Sequence, residues 1–256
     1  MQGVIAARGG AGALSHHGIA PLLERAFRRG RPAAVALLIN SPGGSPVQSS
    51  LIAAHIRSLA DERGVPVHAF VEDVAASGGY WLAAAADDIW VDESSITGSI
   101  GVISAGFGFA DLLARIGVER RVHTAGEDKS LLDPFRPERP EDVARLLAIQ
   151  RRIHAQFIDH VRIRRGARLA QDRSLFEGEV FVGGEAVEAG LADGIAHLRP
   201  KLRALYGEDV ALRPLGLRRP FLRRFVPGVS AAELARGAAE AMEAADRRAH
   251  WARYGL

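Results

Sequence analysis

The apolar positions in the first hundred residues form short unbroken runs separated by turns rich in glycine and proline. The run 33–39 resembles a parallel strand that helices cover on both faces, and the runs 67–71 and 89–91 predict two further strands. Residues 51–59 carry apolar side chains at helical spacing, and 78–86 has the small residues of a buried helix. This alternation of strands and helices predicts an α/β fold with a parallel sheet.

The next part of the chain is less regular. Short apolar runs at 102–104 and 120–123 predict two further strands on either side of a helix at 111–116. Three prolines within 124–140 exclude a regular helix there, so a long loop is expected. The following segment, 142–165, predicts the longest helix, because its apolar side chains fall on one stripe.

Three regions divide the chain by composition. Residues 1–198 hold the strand and helix pattern, which ends with short strands around a helix in 176–198. Residues 199–229 are rich in arginine and proline and are expected to form a basic arm. Residues 230–256 are rich in alanine and predict a C-terminal helical extension.

Composition and charge exclude several classes of protein. With 48% hydrophobic and 25% charged residues the chain is globular, and a net charge of +3 is too small for a general polyanion-binding surface. The absence of cysteine excludes disulfide scaffolds, thiolate zinc sites and cysteine nucleophiles. No apolar run approaches a membrane span and the first residues lack the layout of a secretory signal, so we expect a soluble chain.

Two glycine-rich turns follow successive strands, where open α/β sheets bind their ligands. Residues 41–44 contain Gly43 and Gly44, whose bare amides suit a developing oxyanion. Residues 72–77 are expected to be a loop that places Ser77 directly before a helix, as a nucleophile would lie. The alternative role for this serine is helix capping, for which serine is a preferred residue.

A serine nucleophile needs a base, and the chain offers two kinds of candidate. His123, just before the predicted loop, is the best of the histidines, although no Ser-His-Asp pattern is evident. Only Lys129 and Lys201 are lysines, whereas the other 31 of the 33 basic residues are arginines. Arginine cannot release its proton in a protein, so a retained lysine is a candidate base. The alternative for Lys129 is an ordinary solvated loop cation.

Four motifs occur in register along the chain. They are Asn-Ser-Pro-Gly-Gly at 40–44, Asp-Val-Ala-Ala-Ser-Gly-Gly-Tyr at 73–80, Thr-Gly-Ser-Ile-Gly-Val at 97–102 and Gly-Glu-Asp-Lys at 126–129. Together they resemble the signal peptide peptidase A (protease IV) family of serine proteases, in its short single-unit bacterial form, and the resemblance extends over about residues 4–198.

The resemblance implies a Ser-Lys dyad, with Ser77 as nucleophile and Lys129 as general base. It also implies an oxyanion hole at Gly44, completed by the Gly78 amide, and a lysine-orienting role for Ser99. The implied fold is the ClpP/crotonase-like spiral of βα units. No cofactor, metal ion or nucleic acid is implied, and the expected substrates are extended peptides with small or apolar side chains, such as residual signal peptides.

Partners and location follow from the same resemblance. It implies a homo-oligomer, octameric in the short form, in which neighbouring protomers assemble each site and enclose the lysine. It also implies association with the bacterial cytoplasmic membrane. Since the sequence shows no transmembrane segment or signal peptide, a soluble or truncated form is the alternative. The basic segment 213–225 could contact an anionic membrane surface, or could serve as an oligomer contact or linker.

Two alternatives of other classes remain open at this point. A crotonase-like acyl-CoA enzyme would use the same paired amides to hold a thioester enolate and would not need Ser77 or Lys129. A non-catalytic oligomeric scaffold would need neither chemistry, and the presence of both dyad residues argues against it.

Overall fold

The computed structural model describes residues 1–7, 13–28, 30, 32–126, 129–171, 173–216, 248 and 250–255. The chain forms two compact units. Unit 1 combines Met1–Ile100 with Ile158–Leu256, and unit 2 is Gly101–Phe157. The site residues expected from the sequence are therefore divided, with Ser77 in unit 1 and Lys129 in unit 2.

The secondary structure alternates as the sequence pattern predicts. Within the described residues the helices are α1 His16–Arg28, α2 Pro46–Arg63, α3 Gly78–Ala83, α4 Ala110–Arg115, α5 Pro140–Arg165, α6 Gly184–Glu188 and α7 Leu198–Tyr206. The strands are β1 Val35–Ser41, β2 Val67–Ala76, β3 Asp88–Val91, β4 Ile96–Gly98, β5 Val180–Val182 and β6 Gly194–Ile195.

Strand β2 is the centre of the sheet. It pairs in parallel with β1 on one edge, and on the other edge first with β3 and then, further along, with β4. Strand β6 continues the parallel pairing beyond β3, whereas β5 pairs antiparallel with β4. Because β3 and β4 share one edge of β2 in succession, the sheet curls there. The expected α/β fold with a mainly parallel sheet is confirmed.

Burial explains why β2 is central. Its residues from Val67 to Val71 are buried on both faces, as are Val74 to Ala76. In strand β1 burial instead alternates from residue to residue, so one face of the strand is buried and Leu38 lies on the exposed face. The expectation that helices cover both faces of β1 is therefore wrong, since alternation of burial is typical of a strand with one covered face.

Three local predictions are wrong, and one helix was missed. Residues 72–77 are not a loop, because β2 continues to Ala76 and bonds to β4. The runs 102–104 and 120–123 form no strand and are mostly exposed. Helix α1 was not anticipated, because Pro21 lies inside it and masks the buried stripe of Ile19, Leu23 and Phe27.

The expected basic arm begins as a helix. In α7, Leu202 is buried, the Lys201 ammonium lies 3.6 Å from the centre of the Trp90 ring, and the Tyr206 hydroxyl lies 2.6 Å from His68 Nε2. These contacts attach α7 to the sheet. Most of the segment 213–225 and of the predicted helix 230–256 lies outside the described residues.

Candidate active site

Ser77 occupies a sharp turn between β2 and α3. Its backbone has φ 51° and ψ −121°, a left-handed conformation that costs a residue with a side chain about 1–3 kcal/mol. The Ser77 N–H donates to the Gly98 carbonyl at 2.8 Å, and the Ser77 carbonyl accepts from the Trp81 N–H at 3.0 Å. Both backbone groups are thus fixed. The side chain does not cap α3, so the capping interpretation of this serine is wrong.

The loop after β1 lies directly against this turn. A side chain at Gly43 would bring a Cβ atom within 2.8 Å of the Gly78 nitrogen and of Ser77 Cβ. Gly44 has φ 140°, and a Cβ there would overlap the carbonyl oxygen of Ile5. Only glycine permits this approach, because no other residue lacks a Cβ atom.

Ile5 determines where the Gly44 amide points. The Ile5 N–H donates to the Gly43 carbonyl and the Ser45 N–H donates to the Ile5 carbonyl, each at 2.8 Å. In this parallel bridge the N–H of Gly44 itself must face away from Ile5. A Cβ at Gly78 would lie 3.3 Å from the Gly44 nitrogen, so the two backbones are adjacent. Neither amide has an acceptor among the described residues.

Ser99 lies beside Ser77 at the end of the neighbouring strand. Ala76 of β2 pairs with Gly98 of β4, so each serine directly follows one member of a parallel pair. Ser99 has φ 50°, and its N–H donates to the Glu179 carbonyl at 2.6 Å. Two serines in left-handed conformations therefore stand at the carboxyl ends of adjacent parallel strands, where α/β sheets place their sites.

Lys129 belongs to unit 2 and is exposed. It lies in the irregular segment between α4 and α5, where its N–H donates to the Gly126 carbonyl at 3.3 Å. The long loop predicted from the three prolines is confirmed. His123, the histidine alternative, is also exposed in unit 2.

Helix α3, which follows Ser77, is held from its far end by residues that sequence reasoning missed. His160 of α5 stacks on Trp81 and donates from Nε2 to the Trp81 carbonyl at 3.0 Å. Arg164 donates to the Ala84 and Ala86 carbonyls at 3.1 and 3.0 Å. Burial lowers the pKa of His160 from 6.5 to about 4, so this imidazole is neutral near pH 7.

All six residues of α3 are buried. The Tyr80 hydroxyl donates to the Leu191 carbonyl at 2.8 Å, and burial raises the pKa of this phenol. No group of three or more His, Asp or Glu side chains suited to a metal ion occurs in the described ranges. The site is thus built from backbone amides and hydroxyl groups on a buried support.

Comparison with known protein families identifies the family to which the chain belongs. The profile of peptidase family S49 matches residues 60–206, a range that includes Ser77, Ser99 and Lys129. This chain belongs to peptidase family S49. The membership confirms the resemblance to the signal peptide peptidase A family and, at the level of the family, the expectation of a serine peptidase. It argues against the acyl-CoA enzyme and the scaffold.

Individual relatives of this S49 chain carry different names. It is 50% identical over 251 residues to a Brucella abortus protein named Na(+)/H(+) antiporter NhaA, covering 95% of this chain and 34% of that protein. It is 34% identical over 166 residues to the chloroplastic serine protease SPPA of Arabidopsis thaliana, covering 64% and 24%. A mutant of the membrane-bound stomatin-specific protease 1510-N has TM-score 0.41 and 14% identity, covering 72% and 75%.

The S49 chain spans about a third of the length of its Brucella relative. The antiporter name describes that longer protein. In the described part of this chain, no helix has the length and apolarity needed to cross a membrane.

Proposed function

We propose that this chain is a serine endopeptidase in which Ser77 is the nucleophile and Lys129 the general base. One observation carries the proposal: Ser77 is held in a strained turn, free of a capping role, beside the unpaired amides of Gly44 and Gly78. Strain of this kind persists only where the surrounding structure enforces it, and it is concentrated at functional sites. Membership of peptidase family S49 supports the same chemistry.

The reaction follows from the roles of these groups. Neutral Lys129 takes the proton of the Ser77 hydroxyl as Oγ attacks the carbonyl carbon of a peptide bond. The oxygen of that carbonyl becomes an oxyanion, which the Gly44 and Gly78 N–H groups stabilise. Lys129 then protonates the departing amine, leaving an acyl-enzyme that water hydrolyses with Lys129 again as base. Ser99 orients the lysine.

Extended peptides with small or apolar side chains, such as residual signal peptides, are the proposed substrates. Gly43 and Gly44 place backbone without side chains beside Ser77. Such a surface accepts an extended peptide through main-chain hydrogen bonds, with limited room for large side chains.

The active form is proposed to be a homo-oligomer, octameric as the resemblance implies, in which one copy's Lys129 serves another copy's Ser77. Unit 2 supports this proposal, because apolar side chains are exposed along it, including Ile103, Phe107, Leu112 and Ile116. Phe107 is 82% exposed. Exposed apolar side chains concentrated in one part of a chain are typical of surfaces that bind another protein.

Hydrolysis of a fluorogenic peptide with an apolar residue before the scissile bond tests the dyad. We expect Ser77→Ala and Lys129→Ala each to reduce kcat by about 1000-fold or more, with unchanged circular dichroism spectra. The wild-type kcat/KM should rise with pH as the base loses its proton. Normal turnover in both variants would reject the peptidase dyad, and coenzyme A binding would then favour the acyl-CoA alternative.

Mixing the two inactive variants tests the shared site. If neighbouring copies complete each site, mixed oligomers of Ser77→Ala and Lys129→Ala chains regain part of the activity. If the two residues act within one chain, the mixture stays as inactive as its components. An active wild-type monomer in sedimentation would also reject the shared arrangement.

A further inference from the structure

One buried carboxylate stands out in unit 2. Among the described residues of this unit, only Asp142 and Phe157 are buried, and Asp142 is 5% exposed. It lies in the first turn of α5, directly after the segment that contains Lys129. A buried carboxylate needs partners, so the groups that it binds reveal its role.

Asp142 binds the Lys129 segment at two points. Its Oδ2 accepts from the Leu132 N–H at 3.4 Å and from Arg139 Nε at 3.0 Å, and its Oδ1 accepts from Arg139 Nη2 at 2.6 Å. The two Arg139 contacts form a bidentate pair, which fixes both direction and distance. The hydrogen bonds from Arg139 hold the pKa of Asp142 below its usual range.

Leu132 is the strained residue of this segment. Its φ is 52°, a left-handed value that a leucine adopts only under restraint from its surroundings. The hydrogen bond from its N–H to Asp142 supplies such a restraint. Without that acceptor, the backbone at Leu132 would be expected to relax to a negative φ and redirect the chain on either side.

The restraint is close to Lys129 along the chain. Consecutive turns connect them, with hydrogen bonds from the Lys129 N–H to Gly126 and from the Asp133 N–H to Ser130. Asp133 itself accepts from the Phe135 N–H at 3.0 Å and from Arg120 at 3.3 Å. Polar contacts thus restrain the segment, and the Asp142 side chain links it to helix α5.

We infer that Asp142 is a positioning residue for Lys129, acting through the Leu132 N–H and the Arg139 guanidinium to fix the direction of the lysine-bearing segment. This inference rests on the proposed function, since it assumes that Lys129 is the base. A carboxylate suits the task because it accepts from a backbone amide and a guanidinium at the same time. An amide side chain would lose one charge-assisted bond to Arg139.

The test compares Asp142→Asn with Glu141→Gln, which removes a neighbouring exposed carboxylate from the same helical turn. The control separates loss of the Leu132 and Arg139 contacts from loss of negative charge at the start of α5. For Asp142→Asn we expect kcat to fall about 10- to 100-fold with KM within about twofold, because small displacements of a catalytic group have such costs. In the enclosed site of the proposed oligomer, a lysine that is held less firmly is better hydrated, so the rising limb of the pH–rate profile should also move to higher pH.

A loss of folded protein alone would lower the amount of active enzyme without moving the pH–rate limb. Equal kcat and pH profile in Asp142→Asn and Glu141→Gln would overturn the positioning role, while Ser77→Ala and Lys129→Ala continue to report on the dyad. If Asp142→Asn does not fold, Leu132→Pro gives the decision, because proline lacks the N–H that donates to Asp142 and fixes a negative φ. A shifted limb in Leu132→Pro supports the inference, and an unchanged kcat and limb reject it.

Discussion

The two units hold their reactive residues in different ways. In unit 1, Ser77 stands between a strand buried at its end and a helix whose six residues are all buried. In unit 2, the described residues around Lys129 are exposed or half-exposed, and polar contacts to Asp133 and Asp142 replace a hydrophobic core. Ser77 is therefore held by packing, whereas Lys129 depends on hydrogen bonds within its own segment.

This difference predicts which substitutions should change both stability and activity and which should change only one of them. Burial of apolar surface is the dominant stabilising contribution in proteins, so substitutions in the support of Ser77 should alter stability and activity together. Substitutions in unit 2 should alter assembly or catalysis and leave the unfolding of unit 1 nearly unchanged. The following substitutions test that contrast, from the largest expected effect to the smallest.

Substitution of Gly44 by alanine should have the largest effect on activity. The new Cβ would overlap the Ile5 carbonyl oxygen and displace the amide proposed for the oxyanion. We expect kcat to fall at least about 100-fold and the free energy of unfolding to fall by about 3 kcal/mol. The matched control is Gly64→Ala, since Gly64 also has a left-handed φ but open space around it. Equal effects in both variants would show that the left-handed φ, and not the overlap with Ile5, causes the losses.

Arg165→Ala removes the buried half of an ion pair in unit 1. Arg165 is 2% exposed and binds Asp193 at 2.6 Å and the Gly190 carbonyl at 2.8 Å. Burial raises the pKa of Asp193, but the hydrogen bonds and charge of Arg165 outweigh it and hold the pKa below its usual range. Chemical denaturation should show a loss of about 3–5 kcal/mol.

The control for this pair is Arg173→Ala, which breaks an exposed pair with Glu188 at 3.1 Å. Its expected cost is below about 1 kcal/mol. A comparable loss in the two variants would contradict the importance assigned to burial.

His160 predicts a dependence of stability on pH. Its pKa is about 4 in the folded protein and near 6.5 when unfolded, so falling pH protonates the unfolded chain first. The contribution of neutral His160 to stability is fully present above about pH 6.5 and is lost progressively toward pH 4. The expected loss by pH 4.5 is about 2–3 kcal/mol.

His160→Gln isolates this contribution, because the amide retains a donor for the Trp81 carbonyl but does not titrate in this range. Denaturation of both proteins at pH 7.5 and 4.5 gives the difference, and carboxylate titrations common to both cancel. A wild type that loses no more stability than His160→Gln would refute the assignment.

Phe107→Ser should have the smallest effect on folding. Because Phe107 is 82% exposed, its removal should change the unfolding free energy by less than about 0.5 kcal/mol. Sedimentation velocity should instead show weaker self-association if this surface is covered by another copy. Arg121→Ser, at another exposed position in the same unit, serves as the control. Destabilisation of unit 1 by Phe107→Ser would contradict the expectation that substitutions in unit 2 leave the unfolding of unit 1 nearly unchanged.

Sequence reasoning succeeded where local pattern and backbone chemistry coincide. Apolar runs bounded by glycine and proline located β1, β2 and β3, and glycines at 43, 44 and 78 marked the turns that now lie together. Ser77 followed from its place before a helix, although capping was the competing interpretation. The roles of Ser77, Lys129, Gly44, Gly78 and Ser99 remain predictions.

The failures have physical causes. The continuation of β2 through Glu72 and Asp73 could not be predicted, because the strand is extended by the pairing of Val74 to Ala76 with β4, which lies outside the local sequence. His160 and Arg164 reach α3 across about eighty residues of chain. Asp142 had one local signal, its position after a proline at the start of a helix, but its contact with Leu132 depends on the loop conformation.

The bonds from Ile5 to the loop around Gly44 have a practical consequence for handling the protein. Residues 1–7 contain no reactive group, yet the Ile5 backbone orients the amide proposed for the oxyanion. Proteolytic trimming past Ile5, or a purification tag that distorts this segment, would be expected to silence the enzyme while leaving Ser77 intact. Proteolytic cleavage in this segment would therefore inactivate the protein.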